Sequence, residues 1–403
     1  MKKFEIPEFY KSPTISELKA RRKLEDPRKK DFTPTKISYF SKDNFELEFL
    51  IARHFGFCYG VENAIEIAYK AIHENPGKKI YLLSQMIHNP GVNEDLQSYG
   101  LEFIQDTYGK QLIPWDQIQA ENVVIIPAFG TTLETEGILK SKGVDVKSYN
   151  TTCPFVEKVW NRSEKLGQDK HTIIIHGKHD HEETRATFSH SSTNSASLIV
   201  KDIHEAQLLC DIILGTKESS EFFNLFAGKF SPGFDPEKDL VKVGVVNQTT
   251  MLASETQEIT ELIYAAMEQK YGSDDIKNHI ADTRDTLCYA TNDNQSATYG
   301  LMEEPADLAF VIGGYNSSNT THLVELLETK FPTFFINSAA EIKSKNEIEH
   351  FDIHSKNIKN STSIFPEGKS KLSLAITSGA SCPDAVVEQV LDRLCELFGV
   401  VKA

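Results

Sequence analysis

Three cysteines in this chain occupy one recurring setting. Gly56-Phe57-Cys58-Tyr59-Gly60 follows the apolar run Phe49-Leu50-Ile51-Ala52 and runs into a helical pattern with Val61, Ala64, Ile65, Ala68 and Ile72 on one face. The segments Thr151-Thr152-Cys153-Pro154 and Asp285-Thr286-Leu287-Cys288-Tyr289 repeat that grammar. At such a strand-to-helix turn, backbone N–H groups and the helix dipole are expected to lower a thiol pKa. Three thiolates, one in each third of the chain, point to one shared soft ligand. Zinc or a cubane iron–sulfur cluster with one iron open would suit them. Their spacing matches no local metal-ligand pattern. Cys210 and Cys395 lie in helical apolar patterns and read as core, and Cys382 reads as packing beside a ligand loop.

A second group is the run His176, His179, His181, Glu182 and Glu183. It resembles a zinc-hydrolase strand end but lacks a matching set of further ligands. His181 and Glu183 read instead as a site wall with a proton-delivering carboxyl, and His176 and His179 as structural. A third group is made of hydroxyl and amide loops. Thr249, Ser317, Asn319 and Ser381 stand just before expected helices, where N–H groups bind anions. With His88-Asn89 they suggest a phosphate pocket built from neutral donors. Asn316-Ser317-Ser318-Asn319 also reads as a plain capping sequence.

These residues need a scaffold, and the 403-residue chain supplies one. Strands are expected at 48–53, 79–83, 122–127, 172–176, 197–200, 241–246, 308–313, 333–336 and 372–377. Helices alternate with them, among others at 61–74, 154–168, 255–271, 320–330 and 383–398. That alternation means α/β layers with mainly parallel sheets. The candidate loops then fall at strand ends, where open α/β sheets bind ligands. Residues 1–46 read as an extension, helical only near 15–28, either wrapping the body or meeting a second subunit, or as a mobile tail. Residues 47–59 hold a strand and the first cysteine turn, packing with the last third. The rest divides into α/β lobes at 60–152, 153–284 and 285–403. Residues 215–240 read as an inserted surface excursion and 343–370 as a polar loop.

Composition narrows the partners. The net charge is −15, and the short clusters Arg21-Arg22-Lys23 and Arg28-Lys29-Lys30 are the basic blocks, so nucleic acid is not expected. No apolar stretch approaches the ~18 residues of a membrane span. The opening residues lack the apolar core of a signal peptide, and six scattered cysteines fit a reducing compartment, so a cytoplasmic location is expected.

The motifs Gly56-Phe57-Cys58-x-Gly60-Val61, His88-Asn89-Pro90, Thr152-Cys153-Pro154-x-Val156-x-Lys158-Val159 and His181-x-Glu183 resemble those of one family. So do Asn247-Gln248-Thr249-Thr250-Met251, Leu287-Cys288-Tyr289-Ala290-Thr291, Asn316-Ser317-Ser318-Asn319-Thr320 and Ser378-Gly379-Ala380-Ser381. It is the LytB/IspH family of 4-hydroxy-3-methylbut-2-enyl diphosphate reductases, and the likeness runs in order from about residue 50 to 400. Residues 127–130 and 233–250 are similar to its plant and cyanobacterial branch.

The resemblance implies three pseudo-equivalent α/β lobes, trefoil-like, around a central 4Fe–4S cluster. It implies reductive removal of an allylic hydroxyl, giving isopentenyl and dimethylallyl diphosphate, the last step of the methylerythritol phosphate route. By position, Cys58, Cys153 and Cys288 would hold three irons and leave the fourth open. Glu183 would supply protons through Thr249. His88, Asn89, His181, Thr249, Ser317, Ser318, Asn319 and Ser381 would bind the diphosphate substrate. The electron donor would be a ferredoxin or flavodoxin, with Lys158 and Arg162 as a docking patch, and the protein a monomer or homodimer. Two departures stand out. Many bacterial members have Ala-His-Gly where this chain has Ala128-Phe129-Gly130, and Thr131 or Thr132 is a candidate substitute. Asp293-Asn294-Gln295 lacks the arginine usual before that glutamine. The competing classes are a zinc hydrolase built on the histidine run and a non-catalytic iron–sulfur sensor.

Overall fold

Runs of β-branched and aliphatic residues form the central strands, and these are buried on both faces. Ile173, Ile174 and Ile175 sit in Thr172–His176, and Phe310, Val311 and Ile312 in Leu308–Ile312. Double burial of this kind requires helices on both sides of a parallel sheet. The computed structural model describes residues 7–25, 32–281 and 286–401. The opening residues, the Arg28-Lys29-Lys30 cluster and Asp285 lie outside them.

Three sheets share one plan. In the first, Ile80–Leu82 is flanked in parallel by Glu102–Phe103 and Val123–Ile125. In the second, Thr172–His176 is flanked in parallel by Ser197–Val200 and Val243–Asn247. In the third, Leu308–Ile312 is flanked in parallel by Thr333–Ile336 and Lys371–Ser378. The spatial order is thus second, first, third each time. The chain leaves the first strand in one direction and returns on its other side, so loops after the first and third strands meet a crevice at the carboxyl ends. The loops carrying His88, Phe129, His181, Thr249, Ser317 and Ser381 all follow a first or a third strand. The α/β fold and the nine expected strands are as read from the sequence.

The chain divides into two units, residues 1–66, 87–94 and 289–403, and residues 67–86 and 95–288. The first unit holds the third sheet, enlarged. Glu46–Ile51 adds in parallel to Lys371–Ser378, then Thr35–Ser41 and Val400–Val401 add antiparallel. Its core joins Phe49, Leu50 and Ile51 to Phe310, Phe335, Leu374 and Leu394. The helix Pro13–Glu25 buries Ile15 and Leu18 in that core. Residues 13–25 and 35–41 are therefore structural parts of this unit.

Two expectations are corrected. Residues 343–370 are largely strand, not loop: Ile342–Ser344, Glu347–Asp352 and Asn357–Thr362 extend the sheet as an antiparallel meander. The outermost strand is solvated on both faces, so polar residues serve it and no apolar alternation marks it. Residues 215–240 are not a surface excursion. Phe222, Phe226 and Phe234 are buried in the core of the second unit, with the rings of Phe222 and Phe234 stacked at 4.8 Å. The backbone of Lys229 and Ser231 hydrogen-bonds to the edge strand Ser197–Val200.

Candidate active site

Each of the three cysteines directly precedes a helix, Tyr59–Glu74, Pro154–Gln168 or Tyr289–Met302. Each is also held by its own N–H. Cys58 donates to Ala380 O at 3.2 Å, Cys153 to Ala128 O at 2.9 Å and Cys288 to Thr249 O at 3.3 Å. All three carbonyls belong to the loop after the third strand of a sheet, so every cysteine turn is fastened to a ligand loop. Gly56 shows how tight the first turn is. Its φ is +77°, and an added Cβ would fall 2.2 Å from Asp384 Oδ1, so only glycine fits. Its N–H donates to Ser378 Oγ at 3.0 Å. The third turn is tied by Asn247, whose Oδ1 accepts from Thr286 N at 2.9 Å and Thr286 Oγ1 at 2.6 Å. Ser378 and Asn247 lie inside the motifs, yet nothing in a bare sequence marks them as anchors.

The expected lowering of the thiol pKa fails at Cys58. Burial pushes this thiol up, outweighing the N–H groups of Val61 and Gly60, and Glu62 adds to the rise. Desolvation of a thiolate costs more than one helix start returns. A cation at the sulfur would reverse the balance, because a coordinating thiol is deprotonated outright.

In the first unit, three loops are knitted into a cradle of neutral donors. Ser381 Oγ donates to His88 O at 3.1 Å, and Ala380 N donates to Asn319 Oδ1 at 2.9 Å. Gly314 lies so close to His88 O that a Cβ there would stand 2.3 Å away. Ser317 caps the helix Ser318–Leu327, accepting from Thr320 N and from Thr320 Oγ1 at 2.9 Å. His88, Ser317, Ser318, Asn319 and Ser381 are all buried. The amide of Asn319 supplies the telling atom. Its oxygen is engaged, while its buried Nδ2 has no hydrogen-bond partner. A stranded buried donor costs about 1–3 kcal/mol unless a ligand supplies an acceptor. Asn89 differs from its neighbours, since its Oδ1 accepts from Val92 N and caps the following helix.

In the second unit, the carboxyl of Glu183 is buried and bound twice by one residue. Thr249 N donates to Oε1 at 2.5 Å and Thr249 Oγ1 to Oε2 at 2.9 Å. Burial raises the Glu183 pKa to about 7, although both Thr249 bonds pull it down. A carboxyl poised there can hold a proton near neutral pH and release it. The same Thr249 accepts the Cys288 N–H through its carbonyl, so the buried carboxyl and the cysteine turn share one residue.

The histidine run disperses. His176 Nδ1 faces Thr256 Oγ1 at 2.9 Å in the interior, and His179 is exposed. His181 caps the helix Glu182–Ser192 by accepting from Glu183 N through Nδ1, which leaves Nε2–H as the donor of its neutral ring. Phe129, in place of the frequent histidine, meets the His181 ring edge-on at 5.6 Å. Thr132 is occupied as the cap of Leu133–Ser141, accepting from Thr135 N. Thr131 lines a separate cavity of about 360 Å³ with Glu182 and Arg185.

The donor chemistry fits an iron–sulfur cluster. None of the six cysteines is disulfide-bonded. Cys210, Cys382 and Cys395 are buried, whereas Cys58, Cys153 and Cys288 are the half-buried ones, each at a helix start. Among the described residues no three His, Cys, Asp or Glu side chains gather closely enough to hold a single metal ion.

Comparison with known proteins places these features. The family model described as LytB protein matches residues 49–395. The 4-hydroxy-3-methylbut-2-enyl diphosphate reductase of Cyanothece sp. is 43% identical over 354 residues, 87% of this chain and 85% of its own. That of Synechocystis sp. is 41% identical over 364 residues, covering 89% and 93%. Two solved structures share the fold. The (E)-4-hydroxy-3-methyl-but-2-enyl diphosphate reductase described as the terminal enzyme of the non-mevalonate pathway aligns over 86% of this chain and 99% of its own, with TM-score 0.52 and 23% identity. The E-1-hydroxy-2-methyl-but-2-enyl-4-diphosphate reductase of Plasmodium falciparum covers 87% of each chain, with TM-score 0.60 and 21% identity.

Proposed function

The chain belongs to the LytB family, and on that premise we propose that it is a 4-hydroxy-3-methylbut-2-enyl diphosphate reductase. It removes the allylic hydroxyl with two electrons and two protons, releasing isopentenyl or dimethylallyl diphosphate and water. The observation that carries the reading is the buried Glu183 carboxyl, with a pKa of about 7, bound to the threonine that also receives the Cys288 N–H.

Cys58, Cys153 and Cys288 would hold a 4Fe–4S cluster, which when bound supplies the electrons and a Lewis acid for the departing hydroxyl. The chain's residues do the rest. Ser317, Ser318, Asn319, Ser381, His88 and the Nε2–H of His181 grip the diphosphate, with Asn319 Nδ2 gaining its missing acceptor. Binding energy from this remote group fixes the orientation of the hydroxyl end. Protonated Glu183 passes its proton to Thr249 Oγ1, which hands on its own, so two neutral groups relay one charge without a buried anion in waiting. A cytosolic location, an external one-electron donor and a monomeric or homodimeric state complete the proposal. Among the described residues no helix is long and apolar enough to cross a membrane.

The histidine-run hydrolase is disfavoured by the three directions its imidazoles take, and a non-catalytic sensor would have no use for the Glu183–Thr249 pair. The test is anaerobic. The reconstituted protein is mixed with reduced viologen and 4-hydroxy-3-methylbut-2-enyl diphosphate. Substrate-dependent bleaching with formation of the two diphosphate products is expected. A reconstituted cluster without any bleaching would overturn the reductase in favour of the sensor.

A further inference from the structure

The chain carries a net charge of −15, yet four cations line one cavity of about 370 Å³ in the first unit. Lys19, Arg22 and Lys23 come from the helix Pro13–Glu25, and Arg53 comes from the stretch entering the first cysteine turn. Among the described residues the lining sets one carboxylate, Asp293, against them, and Lys19 is paired with Asp384 at 2.7 Å. The cavity floor includes Phe57 and Cys58.

These cations are held in place. Arg22 is buried, donating to the carbonyls of Ala52 at 2.7 Å, Ile51 at 3.0 Å and Arg53 at 3.1 Å, which fix its guanidinium beside the entry to the first cysteine turn. Lys19 rests over the Phe55 ring at 4.8 Å. Lys23 is exposed.

The rim is aromatic. Tyr59, the residue after Cys58, is 59% exposed, and its N–H donates to the hydroxyl of Tyr289 at 3.1 Å. Tyr289, the residue after Cys288, lines the cavity and is 42% exposed. Phe9 is 54% exposed, and its ring leads through Tyr10 to Phe57, which lines the cavity. Exposed aromatics beside arginine are enriched at protein docking sites, and the lysines add long-range attraction for an acidic partner. A positive cleft in an otherwise acidic chain focuses attraction on one spot and repels the same partner elsewhere.

We propose that this basic, aromatic-rimmed cavity is the docking face for an acidic one-electron carrier protein, delivering electrons beside Cys58. The inference rests on the reductase reading, which requires two electrons that the chain itself does not hold. Each docked carrier is oxidised by one electron, so two dockings serve one turnover. The helix Pro154–Gln168 fits the role less well, because Lys158, Arg162 and Lys165 stand against Glu157 and Glu164, a smaller cationic excess than Lys19, Arg21, Arg22 and Lys23 against Glu17 and Glu25 on Pro13–Glu25.

The test is binding, measured on the full reconstituted chain. A plant-type [2Fe–2S] ferredoxin with gallium replacing iron is titrated in by calorimetry at low and high salt, so no electron moves. Charge reversal at Lys23→Glu with Arg53→Glu is expected to raise Kd about tenfold or more and flatten the salt dependence. Lys23→Glu alone, at an exposed site, is expected to cost about threefold and decides the matter if the double variant folds poorly. Tyr59→Ala is expected to weaken binding as well, and viologen-driven turnover of Lys23→Glu should match the parent. Ferredoxin affinity unchanged by Lys23→Glu, or weakened as much by Lys158→Glu with Arg162→Glu, would overturn the proposal. If the parent binds ferredoxin through Lys23 but never turns over substrate with viologen, the reductase reading falls and the docking face stands.

Discussion

The cradle of His88, Ser317, Asn319 and Ser381 and the pair Glu183–Thr249 solve opposite electrostatic problems. In the proposed reaction the cradle would accept an anion with neutral donors alone, one of them the Asn319 Nδ2 that has no hydrogen-bond partner. The pair must avoid becoming an anion, and burial holds its carboxyl protonated to about pH 7. Neither region uses a fixed charge. A negative substrate and a thiolate-bound centre would be disturbed by a second carboxylate, whereas donors without charge add grip and no repulsion. The difference also separates binding from proton delivery, so the two regions should fail differently when altered.

The largest effect belongs to the cysteine turns. Cys153→Ser should remove the visible absorbance of a reconstituted cluster and abolish turnover; retention of both would exclude that thiol as a ligand. Next comes the cradle. Asn319→Asp preserves the oxygen that holds Ala380 N but trades the waiting donor for a carboxylate, so KM should rise about tenfold or more with kcat less affected. An unchanged KM would erase the distinction between the two regions.

Glu183 makes a prediction about stability as well. Its folded pKa of about 7 lies above the ordinary 4.5. The stabilisation from keeping it protonated is therefore fully present below pH 4.5 and lost as pH rises through 7. In urea unfolding of the cluster-free protein, Glu183→Gln should match the parent in acid and exceed it at pH 8 by up to about 3 kcal/mol. Parallel curves would mean that burial does not hold the proton. The smallest effect is expected at the missing imidazole. With Thr132 committed to its helix cap, Thr131→Ala should raise KM by no more than about threefold, the scale of a single hydroxyl contact. No change would leave Phe129 against His181 as the whole substitution.

Much of this was legible in the residues. Most of the nine expected strands carry apolar runs, and the three cysteines stand directly before helices, although among the described residues only Cys58 follows a strand; Cys153 and Cys288 follow loops. What escaped were elements without a period. The helix Glu182–Ser192 is polar in sequence yet buries Glu182, Glu183, Thr184 and Thr187, so no amphipathic stripe announced it. The buried phenylalanines at 222, 226 and 234 do repeat at multiples of four, but within residues punctuated by glycine and proline. The strand Thr35–Ser41 alternates half-buried and exposed residues and gains its place from pairing with Glu46–Ile51. At the site, residue types gave roles but not balances. That burial outweighs the helix start at Cys58, and that three basic residues of Pro13–Glu25 reach the first cysteine turn, depends on neighbours far away in sequence.

The most direct measurement is made on Glu183→Gln, reconstituted without oxygen, by titrating substrate and then following product in a single turnover. If the cradle binds and the carboxyl delivers protons, substrate affinity should stay within about threefold of the parent while product formation falls at least about a hundredfold. Product formed at the parental rate, or affinity lost together with rate, would contradict the separation of grip from proton delivery.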